Sequence, residues 1–102
     1  MKCSPWQIWK AIVKFEENDE VKSRPVLILG TNRMIAFSLK MTSHAPRKGD
    51  YPLRRWKEAG LDRPTAVRFH QKLELTEKDL IHQYGSIDLL DRLEIQKILD
   101  NI

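Results

Sequence analysis

Four aliphatic residues in succession, Val26-Leu27-Ile28-Leu29, follow Arg24-Pro25 and constrain this chain more than any other feature. A strand that is apolar at every position has to be covered on both faces or cross the middle of a barrel. Pro25 has no N–H to give a ladder, so it belongs at the start of such a strand. The run is far too short to span a bilayer, and neither a membrane segment nor a signal peptide is expected. With 102 residues, 41% hydrophobic and 31% charged, the chain is expected to build one domain, residues 1–102, around one core. Its one cysteine, Cys3, rules out an intramolecular disulfide and a cysteine-rich metal site, and a cytoplasmic setting is the default expectation.

The flanking segments read as a strand meander. Ile8 to Phe15 is rich in strand-forming residues, Glu16 to Glu20 is an acidic loop, Gly30 to Arg33 a hairpin connection, and Met34 to Met41 a third strand ending at Thr42-Ser43. A basic loop, Ala45 to Asp50, comes next. Leu53, Trp56 and Ala59 then recur at helical spacing before Gly60, which predicts a short inserted helix of about two turns. Thr65 to His70 and Leu73 to Leu75 read as strands, and Thr76 to Asp79 as a turn or single helical turn before Ile81 to Tyr84. Asp88 and Asp91 can cap a closing helix with an apolar stripe of Leu89, Leu90, Leu93, Ile98, Leu99 and Ile102. The fold class is therefore mainly β, with one short inserted helix and one C-terminal helix.

Charge is unevenly spread. Net charge is +4, but residues 40–73 carry nine basic and three acidic groups, whereas residues 74–102 carry three and seven. The positive middle third is either an anion-binding face or a solvated surface of mixed charge.

The order of elements, with Ile8-Trp9, Ser23-Arg24-Pro25-Val26-Leu27-Ile28-Leu29, Lys40-Met41-Thr42-Ser43, Leu53 to Leu61, Ala66-Val67-Arg68 and Tyr84-Gly85-Ser86-Ile87, resembles the MazF/PemK family of type II toxins. An Arg-Pro-aliphatic strand followed eighteen residues later by Thr-Ser is the most specific part of the match, which covers nearly the whole chain. The resemblance implies an SH3-like β-barrel and a metal-independent endoribonuclease. It implies cleavage of single-stranded RNA or mRNA by attack of the ribose 2′-hydroxyl on the adjacent phosphorus, leaving a cyclic phosphate and a 5′-hydroxyl. It also implies growth inhibition, a homodimer, and silencing by a cognate antitoxin protein whose disordered acidic tail lies across the basic groove. No cofactor and no metal are called for.

By the same resemblance, Arg24 and Thr42 lie together in the RNA site. A fixed guanidinium matches the oxygens of a pentacovalent phosphorus, and Thr42, with Ser43, would donate hydrogen bonds to them. Arginine is a poor base near neutrality, so His44 and His70 are the candidates for proton transfer. Where some relatives carry Arg-x-Asp, this chain has Arg68-Phe69-His70, so His70 is either an acid or base or a surface residue that weakens the site. Lys22, Lys40, Arg47, Lys48, Arg54, Arg55 and Arg68 could supply phosphate contacts. Trp56 and Trp9 read as core residues before stacking platforms.

Two departures bear on activity. Relatives open the first strand with Gly-Asp where this chain has Trp6-Gln7, which removes a carboxylate, and the loop before Arg24 is short and acidic. The alternative function is a catalytically weakened barrel that binds RNA or an antitoxin-like tail without cutting. A gyrase-poisoning toxin is a third reading, and the terminal-helix residues it needs have no match here.

Overall fold

The computed structural model describes residues 1–14 and 20–102, so most of the expected acidic loop, Glu16 to Asp19, lies outside the described residues. Six antiparallel strands form one sheet: β1 (Gln7–Lys14), β2 (Val21–Thr31), β3 (Ala36–Thr42), β4 (Asp50–Pro52), β5 (Ala66–Leu75) and β6 (Leu80–Ser86). One helix, α1 (Leu89–Asp100), closes the chain. The strands lie in the order β4-β5-β3-β2-β1-β6, and no ladder joins β4 to β6 among the described residues. No described helix is long and apolar enough to cross a membrane.

Burial of β2 follows from its uninterrupted apolar run. Leu27 packs on one face with Ile8, Leu39, Met41, Val67 and Ile95 of α1. Val26 and Ile28 point the other way, into a second cluster with Trp9, Ala11, Val13, Leu75 and Leu80. All three β2 side chains are fully buried, as a strand flanked by neighbours and covered on both faces requires. Pro25 departs from expectation, since the strand begins at Val21 and places it inside, opposite Lys10. The ladder to β3 starts only at Val26 with Lys40, so Pro25 sits where β2 is still an edge on that side.

Three sequence expectations need correction. The hairpin turn sits two residues later than expected, at Asn32 to Ile35, where the Asn32 side chain accepts from the N–H groups of Met34 and Ile35. The inserted helix is absent. A single turn forms instead, with Ala59 N bonded to Arg55 O at 3.1 Å, Gly60 N to Lys57 O at 3.0 Å and Leu61 N to Trp56 O at 3.1 Å. Gly60 stops it after one turn, taking φ +90° while Gly60 N and Leu61 N reach back to Lys57 O and Trp56 O. Before the turn, Leu53 N goes to Thr65 O, and Arg54 N and Arg55 N go to the carboxylate of Asp91. The Leu53, Trp56 and Ala59 spacing still puts all three against the main core.

The third correction concerns α1. Asp88 caps it as expected, accepting from Leu90 N, but Leu89, Leu90, Leu93 and Ile102 are exposed while Asp91 and Ile95 are buried. Ile98 and Leu99 complete the inward face, a 91-95-98-99 helical stripe. Asp91 turns that face inward by accepting three hydrogen bonds, from Tyr51 Oη at 2.7 Å, Arg54 N at 3.0 Å and Arg55 N at 2.8 Å. Burial and this bond to Asp91 both push the Tyr51 hydroxyl well above the usual tyrosine pKa.

A close glycine contact packs the β4–β5 loop against β6. A Cβ on Gly85 of β6 would lie 2.2 Å from the Ala59 carbonyl oxygen, and one on Gly60 equally close to that of Tyr84.

Candidate nucleic-acid interface

Strand alternation builds the site. The face of the sheet that carries Val26 continues through its cross-strand partner Lys40, then Arg68 opposite Lys40, then Asp50 opposite Arg68. Here the same face that is apolar core further along becomes charged. Extending the Val26–Lys40 register by two residues sets Arg24 abreast of Thr42. Both side chains line a groove of about 590 Å³, together with Lys22, Lys40, Arg47, Arg68, His44 and His70. Lys14 and Lys72 add two more cations, and among the described residues the one carboxylate in the lining is Glu20, which pairs with Lys22 at 3.1 Å.

His70 arrives by a bulge. Leu39 pairs with Lys72 while the next residue, Lys40, pairs with Arg68, so Phe69, His70 and Gln71 form an excursion of β5. Phe69 is buried in the main core, whereas His70 and Gln71 line the groove. Such an insertion re-aims side chains toward a site. Thr42 is buried at the end of β3, and its Oγ1 accepts from His44 N at 3.2 Å, which pins the chain as it leaves the strand.

The carboxylate beneath the groove is one that sequence reasoning passed over. Asp50 Oδ2 lies 3.7 Å from Arg68 Nε, with the Asp50 side chain wholly buried and Arg68 at 9% exposure. The same oxygen accepts from Arg47 N at 2.8 Å, and Asp50 N donates back to Arg47 O. This closes a tight turn in which Gly49 takes φ +91° and brings Arg47 to the groove. Asp50 Oδ1 and Arg68 Nε find no hydrogen-bond partner among the described residues. A signal was present: Asp50 is one of only three acids in the basic middle third.

Not every expected residue joins the groove. Ser43 borders a smaller neighbouring pocket, Lys48 is exposed in the loop, and Arg54 and Arg55 line a separate cavity against Leu90 and Leu93 of α1. Arg55 there faces Asp88 at 3.6 Å. Gln7 lies away from the groove, its Oε1 accepting from Ser4 N and Trp9 Nε1, so an acid at that position would not line it in this chain. Cys3 is buried, and burial raises its thiol pKa, which disfavours the reactive thiolate. Among the described residues no three His, Cys, Asp or Glu side chains gather into a metal-ligating set.

Among the described residues, seven cations with two imidazoles and a buried hydroxyl, on strands and the loops beside them, suit a flexible polyanion whose phosphates follow the groove. No model of a known protein family matches the chain, and no characterised protein matches it either.

Proposed function

We propose that this protein is a metal-independent endoribonuclease of the MazF/PemK kind, a toxin acting on single-stranded RNA and built on an SH3-like barrel. The observation that carries the reading is the convergence of Arg24, Thr42, His44, Arg68 and His70 on one cationic groove from three different strands and the loop after β3. A second observation supports it. Trp6 takes φ +70°, a conformation that favours glycine, at the position where the resemblance has glycine.

In the proposed reaction a ribose 2′-oxygen attacks the adjacent phosphorus and the bond to the 5′-oxygen breaks. The 2′-hydroxyl proton passes to an imidazole, and the leaving 5′-oxygen gains a proton, with His70 and His44 as the two exchangers. Arg24 and the Thr42 hydroxyl stabilise the charge that gathers on the phosphoryl oxygens. Arg68, anchored from below by Asp50, holds a neighbouring phosphate, and Lys22, Lys40 and Arg47 track the strand. An antitoxin with an acidic tail would occupy the same groove by charge complementarity, and the protein would act as a homodimer.

The alternative of binding without cutting draws on His70 standing in place of an acid. Incubation of purified protein with single-stranded RNA in EDTA separates the two. Cutting that Arg24→Ala and Thr42→Ala each lower at least a hundredfold, with circular dichroism unchanged, supports the nuclease. Saturable binding without cutting across a random RNA pool supports the binder.

A further inference from the structure

Two residues beyond the row Lys40–Arg68–Asp50, the next row on the same sheet face is Thr42–Ala66–Pro52. The charged row thus gives way, about 6.5 Å along the strands, to an uncharged one in which only Thr42 is polar. Here a pocket of about 200 Å³ opens, walled by Pro46, Pro52, Leu53 and Pro64, with Ser43 and His44 at its polar edge. Among the described residues its lining includes no Lys, Arg, Asp or Glu. It shares His44 with the cationic groove, and the bond from His44 N to Thr42 Oγ1 fixes the junction between them. Its walls are tied together by Leu53 N donating to Thr65 O at 3.0 Å and Thr65 Oγ1 donating to Arg63 O at 2.9 Å.

We infer that this pocket seats the nucleobase adjoining the phosphate held at Arg24 and Thr42, an inference that rests on the ribonuclease reading of the groove. A phosphate belongs in the charged groove and has no partner in a proline-walled pocket. An uncharged planar ring suits the pocket, because its faces meet apolar walls while its edge finds the Ser43 hydroxyl and the His44 imidazole. The separation of the two rows is one that a ribose bridges. Ser43, expected beside the phosphate, acts instead on the base.

The test uses an RNA nonamer selected as the tightest binder from a random pool, carrying 2′-O-methyl groups so that it is not cut, and fluorescence anisotropy on the full chain. Scanning single abasic positions should find one that weakens binding about tenfold, the loss of one stacked base. Ala45 is exposed and lines the pocket, so Ala45→Trp fills it from the solvent side and replaces no buried residue. That variant should weaken binding of the intact nonamer by a similar factor and leave binding of the sensitive abasic nonamer unchanged. Wild-type affinity of Ala45→Trp for the intact nonamer, multiplicative losses, or no binding by any RNA would overturn the assignment. Separate cleavage of unmodified RNA distinguishes the failures. This binding pattern without cutting removes the nuclease and leaves the pocket, whereas cutting with multiplicative losses removes the pocket alone.

Discussion

The carboxylate of Asp50 and the guanidinium of Arg68 face each other across the β4–β5 ladder at 3.7 Å, both shielded from water at the floor of the groove. At that depth a lone charge is costly, so the two residues depend on each other. Asp50→Ala should destabilise the fold by about 3–5 kcal/mol in urea denaturation, because Arg68 is left without a counter-charge. The double variant Asp50→Ala/Arg68→Met should recover more than half of that loss. Additive losses in the double-mutant cycle would show that the pair does not interact.

A groove built from cations makes a statement about salt. If bound RNA neutralises about four phosphates, the logarithm of the binding constant should fall with the logarithm of salt concentration with a slope near about −3. Lys72→Ala, remote from Thr42 along the β5 excursion, should make that slope shallower by about 0.7 without changing the cutting rate at saturation. A salt-independent affinity would place the RNA elsewhere.

Tyr51 and Asp91 tie the β4 strand to α1. The raised pKa of Tyr51 means that the folded state holds the proton more tightly than the unfolded chain does. The hydroxyl's contribution is therefore fully present below about pH 10, the unfolded tyrosine value, and declines above it as the unfolded state ionises first. Tyr51→Phe should be about 1–2 kcal/mol less stable at neutral pH and should lose less stability between pH 9 and 11 than the wild type. Parallel stability curves for the two proteins would contradict the assignment.

Gly85 has no room for a methyl group, since a Cβ would sit 2.2 Å from the Ala59 carbonyl oxygen and the obstacle is backbone. Gly85→Ala should cost roughly 2–4 kcal/mol, measured as a lowered urea midpoint. An equivalent change at Gly30, where nothing lies within 4 Å of the added carbon, should be far milder.

The strands were legible because their signals are local. An unbroken apolar run opened by Arg-Pro reads as a doubly covered strand, and β2 is one, with Val26 and Ile28 in one cluster and Leu27 in the other. The turn before β6 and the Asp88 cap were readable for the same reason. What failed depended on tertiary hydrogen bonds. The spacing of Leu53, Trp56 and Ala59 does not reveal that the chain turns only once before Gly60 stops it, or that Asp91, some forty residues on, takes the N–H groups of Arg54 and Arg55. The same carboxylate turns the buried face of α1 away from Leu89, Leu90 and Leu93, while Ile98 and Leu99 stay on it as expected. At the candidate site, Arg24, Thr42, Arg68 and His70 all come from positions that the resemblance marks, His70 standing where some relatives have an acid, and all four line one groove. Asp50 was missed because its importance comes from the register that sets it opposite Arg68. Arg54 and Arg55 line a separate cavity beside α1, and charge alone does not say which side of the sheet a loop faces.

The central claim is that the groove directs a ribose 2′-hydroxyl at the neighbouring phosphorus, and the ends of the products report on it most directly. RNA that wild-type protein cuts in EDTA should yield a 2′,3′-cyclic phosphate and a 5′-hydroxyl, and a single 2′-deoxy substitution at the cut site should abolish cutting there. Products ending in a 5′-phosphate, or unchanged cutting of the deoxy-substituted strand, would contradict the account.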